Sequence, residues 1–148
     1  MAEIVLETQG LSKHFGGVIA SDAVNFKLKA RELRCLIGPN GAGKSTFFKC
    51  LTGLVTPSAG HVFMRGIETT HWHPHQIAAL GVGIKTQVPN VMDGLTVREN
   101  IWMAARRFHT GAEASRKAGE MIDRLALGNI ANATVGQLSH GERQRVEL

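Results

Sequence analysis

A chain of 148 residues, 43% of them apolar, is long enough to bury the core of one domain. Its two cysteines exclude a disulfide-dense scaffold, no run of about 18 apolar residues is available to cross a bilayer, and Glu3 and Glu7 interrupt the stretch where a secretory signal needs a basic start. Lysine and arginine number 17 against 12 Asp and Glu, and the resulting charge of +5 suits phosphate ligands, nucleic acid or an anionic membrane surface without choosing among them.

In chain order, "IVLETQGL" reads as a strand. "VNFKLKA" follows, with Val24, Phe26 and Leu28 alternating against Asn25, Lys27 and Lys29, the pattern of a half-exposed antiparallel sheet. "LRCLIG" is a short apolar run that predicts a more buried strand and a buried Cys35; Cys50 in "FFKCL" predicts a second buried free thiol, and the pair favours a reducing, cytoplasmic compartment. "FFKCLTGL" has helical spacing and stops at Gly53 and the "TPSAG" turn, and "HVFMRG" is another strand. Proline is tolerated in a first turn, so a helix is expected from Pro74 through "HQIAAL" to Gly81, and "VGIKTQ" then predicts a second buried strand ending at Gln87.

From Thr96 the pattern turns helical. "TVREN" offers a capping box between Thr96 and Glu99, with Val97, Ile101, Ala105 and Phe108 on one face; Ala114, Ala118, Met121, Ile122 and Leu125 define the next helix. The expected architecture is α/β: a mixed sheet with a phosphate loop over residues 1–95 and a helical part over 96–148.

The phosphate loop carries the chemistry. Gly38-Pro39-Asn40-Gly41-Ala42-Gly43-Lys44-Ser45 fits G-x-x-x-x-G-K-[ST] and lies between an apolar run and a helix, where the mechanism requires it. Glycines let successive N–H groups turn inward, the helix contributes its positive dipole end, Lys44 reaches the outer phosphates, and the Ser45 hydroxyl joins Mg²⁺. A glycine-rich turn without a ligand would not need the Lys-Ser pair. Nucleotide binding follows, whereas reaction and role do not, because many proteins share this loop.

Three further features occur in an order that resembles the ATP-binding cassette (ABC) ATPases. Phe15 in "LSKHFGG" stands where that family presents an aromatic to adenine; burial tendency alone would place it in the core. Gln87, at the start of "QVPNVMDGLTVREN", matches the glutamine that contacts Mg²⁺ and the attacking water, although as a lone residue it reads equally as a solvated loop amide. Ser139-His140-Gly141-Glu142 resembles the L-S-G-G-Q signature that holds the γ-phosphate of ATP on a second copy; by spacing alone it is a complete capping box. His140 replaces a glycine there, as in relatives that import branched-chain amino acids or urea, and Glu142 replaces glutamine and adds a charge.

The resemblance implies a P-loop NTPase core with an antiparallel β subdomain and a helical subdomain, and extends nucleotide contact to Thr46. It also implies ATP hydrolysis with ATP and Mg²⁺, catalytic roles for Lys44 and Gln87, and Mg²⁺ ligation by Ser45 and Gln87. "LSKHFGGVIASDAVNF" and "LIGPNGAGKSTFFKCLTG" resemble the branched-chain amino acid importers most closely. Expected partners are a second ATP-binding subunit, transmembrane permease subunits and, indirectly, a solute-binding protein, with no nucleic acid, at the cytoplasmic face of the inner membrane. The family's hydrophobic Asp-Glu strand does not occur before Leu148, so the chain reads as the N-terminal part of a longer subunit that would not turn over ATP alone. Two other readings are a soluble ABC-type ATPase acting on nucleic acid or ribosomes, and a non-hydrolytic nucleotide-binding piece. His71, His73 and His75 alternate in metal-like fashion, but Trp72 and Pro74 interrupt them and no carboxylate is near in sequence, which favours a solvated loop. Arg106, Arg107, Arg143 and Arg145 read as charged helix surfaces.

Overall fold

The computed structural model describes residues 3–85 and 88–148. The chain divides into two compact units, Met1–Ile84 and Lys85–Leu148, and each is taken by itself. The sequence pattern put the division between residues 95 and 96.

In the first unit β1 (Ile4–Phe15), β2 (Val18–Lys29), β3 (Ala59–Met64) and β4 (Ile67–Glu68) form an antiparallel sheet in the order β2-β1-β3-β4. Alternation in β2 works as expected: Val24, Phe26 and Leu28 are half-buried, and Asn25, Lys27 and Lys29 between them are exposed. The register sets Leu11 opposite Val24 and Thr8 opposite Phe26. Two helices, α1 (Lys44–Leu51) and α2 (Pro74–Ala79), supply the apolar side chains that close this face. Leu11 and Val62 of the sheet join Phe47, Cys50 and Leu51 of α1 and Ile77 of α2 in one buried cluster. Phe47 meets Phe26 edge to face at 5.8 Å between ring centroids, which fixes α1 against β2.

Gly53 ends α1 as its position suggested. With φ at +70° it takes the left-handed turn that side chains resist, and a Cβ there would lie 2.4 Å from the Trp72 carbonyl oxygen. The start of α2 explains the "HWHPH" stretch: the His73 N–H donates to the Gln76 side chain at 2.8 Å, Pro74 occupies the first turn, and Trp72 packs against the core. His73 and His75 stack with centroids 5.8 Å apart. Among the described residues no group of three His, Cys, Asp or Glu side chains is placed to hold a metal.

Two expected strands are corrected. Among the described residues, no strand includes residues 33–38 of "LRCLIG", and Leu33 and Ile37 are 93% and 88% exposed. An apolar run becomes a strand only when a neighbour completes its hydrogen-bond ladder, and the four paired strands ladder with one another and leave this run outside. Cys35 is accordingly exposed, against expectation, whereas Cys50 is buried; both are free thiols. The described part of "VGIKTQ", residues 82–85, is likewise not a strand, and Thr86 and Gln87 lie outside the described residues.

In the second unit α3 (Val97–Arg106), α4 (Gly111–Arg124) and α5 (His140–Val146) surround a core of Val97, Ile101, Ala118, Ile122, Leu127, Val135 and Val146. Burying each large aliphatic member stabilises the fold by about 1.5–3 kcal/mol. Phe108 does not continue the α3 stripe: the helix ends at Arg106, and Phe108 is 64% exposed. Thr96 caps α3 as read, its hydroxyl accepting the Glu99 N–H at 3.2 Å while the Thr96 N–H donates to the Glu99 carboxylate at 2.8 Å. Backbone bonds lace the segment before α3 to the turn before α5, with Gly136 N–H donating to Asp93, Val135 to Leu95, Val97 to Ala133 and Arg98 to Ala131.

Candidate functional site

The loop of residues 38–45 is shaped by three glycines at positive φ, Gly38, Gly41 and Gly43. Gly43 is the one that cannot change. Its φ is +79°, and a Cβ on it would lie 1.8 Å from the Ala20 carbonyl oxygen, so the backbone of β2 is seated directly on the loop. Gly43 is also the residue before α1, and no side chain caps that helix. The first N–H groups of α1 are therefore left for a ligand with acceptor oxygens, and the dipole adds to their pull on an anion.

Lys44 Nζ folds back and donates to the Gly38 and Pro39 carbonyl oxygens, both at 2.7 Å, and the Ala42 N–H donates to Pro39 at 3.3 Å. The ammonium thus sits over the mouth of the loop. Ser45 is exposed and Thr46 half-buried in the first turn of α1, while Asn40 and Gly41 lie on the exposed turn of the loop. Beside the loop, a cavity of about 340 Å³ runs along β2 past Ser21 and Asp22 to Lys44 and Phe47. The residues present fit a nucleotide phosphate group: a backbone cradle that a Cβ would fill, an ammonium within reach, and a hydroxyl suited to a hard cation.

Phe15 closes β1 at the Gly16-Gly17 turn and is 49% exposed, contrary to the core placement that burial tendency alone favours. Lys13 Nζ stands 5.0 Å from its ring centroid and donates to the Thr56 carbonyl at 2.8 Å, and the His14 N–H donates to Ser58 Oγ at 3.1 Å. These bonds hold the hairpin tip against the turn that follows α1. Lys13 was not legible as part of the site, since its partners are distant in sequence.

The signature stretch in the second unit is capped from within. The Ser139 hydroxyl donates to Glu142 Oε2 at 2.7 Å and the Ser139 N–H to the same oxygen at 2.9 Å, while the Glu142 N–H donates back to Ser139 Oγ at 3.4 Å. These hydrogen bonds from the Ser139 hydroxyl and N–H, with Arg145 nearby, hold the Glu142 carboxyl below the usual carboxylate range. His140 Nε2 lies 3.1 Å from the Gln144 side chain, and Gly141 is exposed with open space where a Cβ would project.

Two residues that sequence reasoning missed, Asn100 and Glu147, and one that it read as helix surface, Arg143, organise the stretch after Gln87. Asn100, the last residue of "TVREN", accepts the Met92 N–H at 2.8 Å and donates to the Met92 carbonyl at 3.1 Å, so its amide stands in for a strand partner. Arg143, expected on a solvated surface, pairs with Asp93. Glu147 accepts from Lys85 and from the Asn90 N–H. Only Asn100 left a signal, a side-chain amide following a helix cap.

Residues 21–148 match the family model described as ABC transporter. Among curated proteins, the chain is 34% identical over its whole length to "High-affinity branched-chain amino acid transport ATP-binding protein BraF" of Pseudomonas aeruginosa and 33% identical to the corresponding LivG of Escherichia coli, covering 64% of each. It is 39% identical over 94% of its length to "Ribose import ATP-binding protein RbsA" of a Chelativorans species, of which it covers 28%. The chain thus spans just under two thirds of the length of its branched-chain amino acid relatives. Among solved structures, a nucleotide-free ATP-binding cassette superposes with a TM-score of 0.81 at 25% identity over 97% of this chain and 62% of its own. A dimeric cassette in a post-hydrolysis state bound to ADP and Pi gives 0.82 at 27% identity, covering 96% and 66%. With the loop before α1, the capped Ser139 helix and these matches together, the chain belongs to the ABC transporter family, among its ATP-binding cassettes.

Proposed function

We propose that this chain forms the ATP-gripping part of the energy-coupling subunit of an ABC importer whose solute is a branched-chain amino acid. The observation that carries the reading is the loop before α1, where Gly43 leaves the helix uncapped and Lys44 is held 2.7 Å from two loop carbonyls. The solute class rests on the printed names of relatives matched over the whole chain; ribose and nucleoside importers also match, over smaller shares of their length.

In this reading Phe15 stacks on adenine. The backbone of Gly38, Pro39, Asn40, Gly41, Ala42 and Gly43 wraps the phosphates, with Lys44, Ser45 and Thr46 at the helix start. Lys44 exchanges the Gly38 and Pro39 carbonyls for outer phosphate oxygens, a stronger charge-assisted bond. Ser45 and Gln87 would hold Mg²⁺, which would supply neutralisation of the phosphate charge. Ser139, His140, Gly141 and Glu142 face the ATP of a second ATP-binding subunit, and the Ser139 hydroxyl must turn from Glu142 to donate to its γ-phosphate. Permease subunits, reached at the cytoplasmic face of the membrane, and a solute-binding protein complete the importer.

The test uses the complete gene product assembled with its membrane partners. Lys44→Ala is expected to lower ATP hydrolysis and solute uptake together, by about 100-fold or more, as loss of an electrostatic clamp on a transferring phosphoryl group does. Uptake of leucine, isoleucine or valine at the parental rate in that variant would sink the proposal. Uptake of ribose or nucleosides by the parent protein, lost in Lys44→Ala, would leave the ATPase reading intact and replace the solute.

A further inference from the structure

Lys13 and Phe15 stand two residues apart on β1, so both side chains leave the same face of the strand. The backbone on either side of Lys13 is pinned by one residue of the turn after α1. The Ser58 N–H donates to the Ser12 carbonyl at 2.8 Å, and Ser58 Oγ accepts the His14 N–H at 3.1 Å. The same turn fixes the half-buried Lys13 side chain, whose ammonium donates to the Thr56 carbonyl at 2.8 Å. Held in this way, Nζ lies over the Phe15 ring, 5.0 Å from its centroid.

Little offsets that charge. Among the described residues no carboxylate pairs with Lys13, and the ammonium faces the ring, a neutral carbonyl and the last turn of α1. Burial pushes the Cys50 thiol up and the Lys13 charge draws it down, so the cation is felt at the end of α1 opposite the phosphate loop. A cation over one face of an aromatic ring draws the π electrons toward itself. Phe15, 49% exposed, is thereby left with one face occupied and the other free but poorer in electrons. A flat partner on the free face stacks better the richer it is in electrons, and purines are richer than uracil.

We propose that Lys13 is a positioning residue that sets base preference: it fixes the Phe15 ring, covers one face and biases the other toward purine over pyrimidine nucleotides. The proposal rests on the reading above, in which Phe15 stacks on the base. It adds a ranking of bases that does not separate adenine from guanine, because both are purines. Lys13 acts through Phe15 and touches neither base nor phosphate.

The experiment uses the complete gene product and measures equilibrium affinity for ADP, GDP, UDP and inorganic pyrophosphate, with melting temperature alongside. Lys13→Met keeps the apolar stem and removes the charge. It is expected to weaken ADP and GDP by about two- to fivefold, the scale of one exposed cation–ring contact, to weaken UDP less, and to leave pyrophosphate unchanged. Lys13→Arg brings a cation that also stacks on rings and should keep the purine preference. Should Lys13→Met fail to fold, Lys13→Gln, neutral but able to donate to the Thr56 carbonyl, takes its place. A purely structural pin would lower melting temperature and weaken all four ligands together, which would overturn the proposal. ADP affinity equal to that of the parent, or a loss as deep for UDP as for ADP, would overturn it too. Phe15→Ala separates the two levels. If it leaves ADP affinity at the parental value, the stacking reading fails and takes the proposal with it; if it weakens ADP while Lys13→Met does not, only the role of Lys13 falls.

Discussion

The first unit and the second each begin a helix at the point of interest, and they treat its unpaired N–H groups in opposite ways. At α1 the residue before the helix is Gly43, which has no side chain to offer, and the donors stay available. At α5 the Ser139 and Glu142 side chains satisfy each other's backbone groups, so the helix start is complete without any ligand. An open end is informative by itself, because it costs stability unless something binds. A closed end is silent, and only its likeness to relatives gives it a role.

The contrast can be broken most severely at its open side. Gly43→Ala introduces a Cβ 1.8 Å from the Ala20 carbonyl at a φ that alanine resists, so β2 and the loop must part. Since misplacing a binding group by about 1 Å costs on the order of 100-fold, nucleotide affinity measured at equilibrium should fall by about that factor or more. Affinity equal to that of the parent would show that the close approach of Ala20 and Gly43 has no part in shaping the site.

On the closed side, effects should be smaller and should appear as stability. Asn100→Ala strands the Met92 N–H and carbonyl, and a loss of about 1–3 kcal/mol is expected in urea unfolding. Thr96→Ala removes one cap and should cost about 1 kcal/mol. A cost for Asn100→Ala below that of Thr96→Ala would mean that solvent replaces the Met92 bonds freely.

Acid gives the mildest test. Glu99 and Glu142 both titrate below the ordinary carboxylate range, Glu99 through the Thr96 N–H and then its hydroxyl, Glu142 through the Ser139 hydroxyl and then its N–H. A depressed carboxyl stabilises the fold above its unfolded value, about 4.3 for glutamate, and that contribution fades as pH falls through the lowered folded value. Urea midpoints should decline below about pH 4, and Glu99→Gln with Glu142→Gln should make the decline shallower. An unchanged slope in the doubly substituted chain would place the acid response elsewhere.

What could be read in advance follows from range. The α1 and α2 starts, the Thr96 and Ser139 boxes and the alternation of β2 are set by neighbours within a few residues, and each is present where the pattern put it. "LRCLIG" and "VGIKTQ" fail because a strand is a property of two segments, and an apolar run carries no statement about its partner. Asn100 was visible as a letter but not as a clasp on Met92, and the Glu147 bonds to Lys85 and Asn90 join positions that no periodicity connects. The loop glycines were legible as a motif, whereas the seat of Gly43 on Ala20 was not, since it comes from how β2 passes the loop.

That seat has a consequence for what the site measures. Phe15 sits at the tip of the hairpin and Ala20, a short way along the next strand, rests against the phosphate loop, so one continuous piece of β structure joins the ring to the loop. If Phe15 stacks on adenine and the loop holds the phosphates, as proposed above, the hairpin is in effect a ruler laid between base and phosphates. Lengthening its Gly16-Gly17 turn would shift the graduation for a whole nucleotide while leaving inorganic triphosphate, which has no base to be measured, as welcome as before.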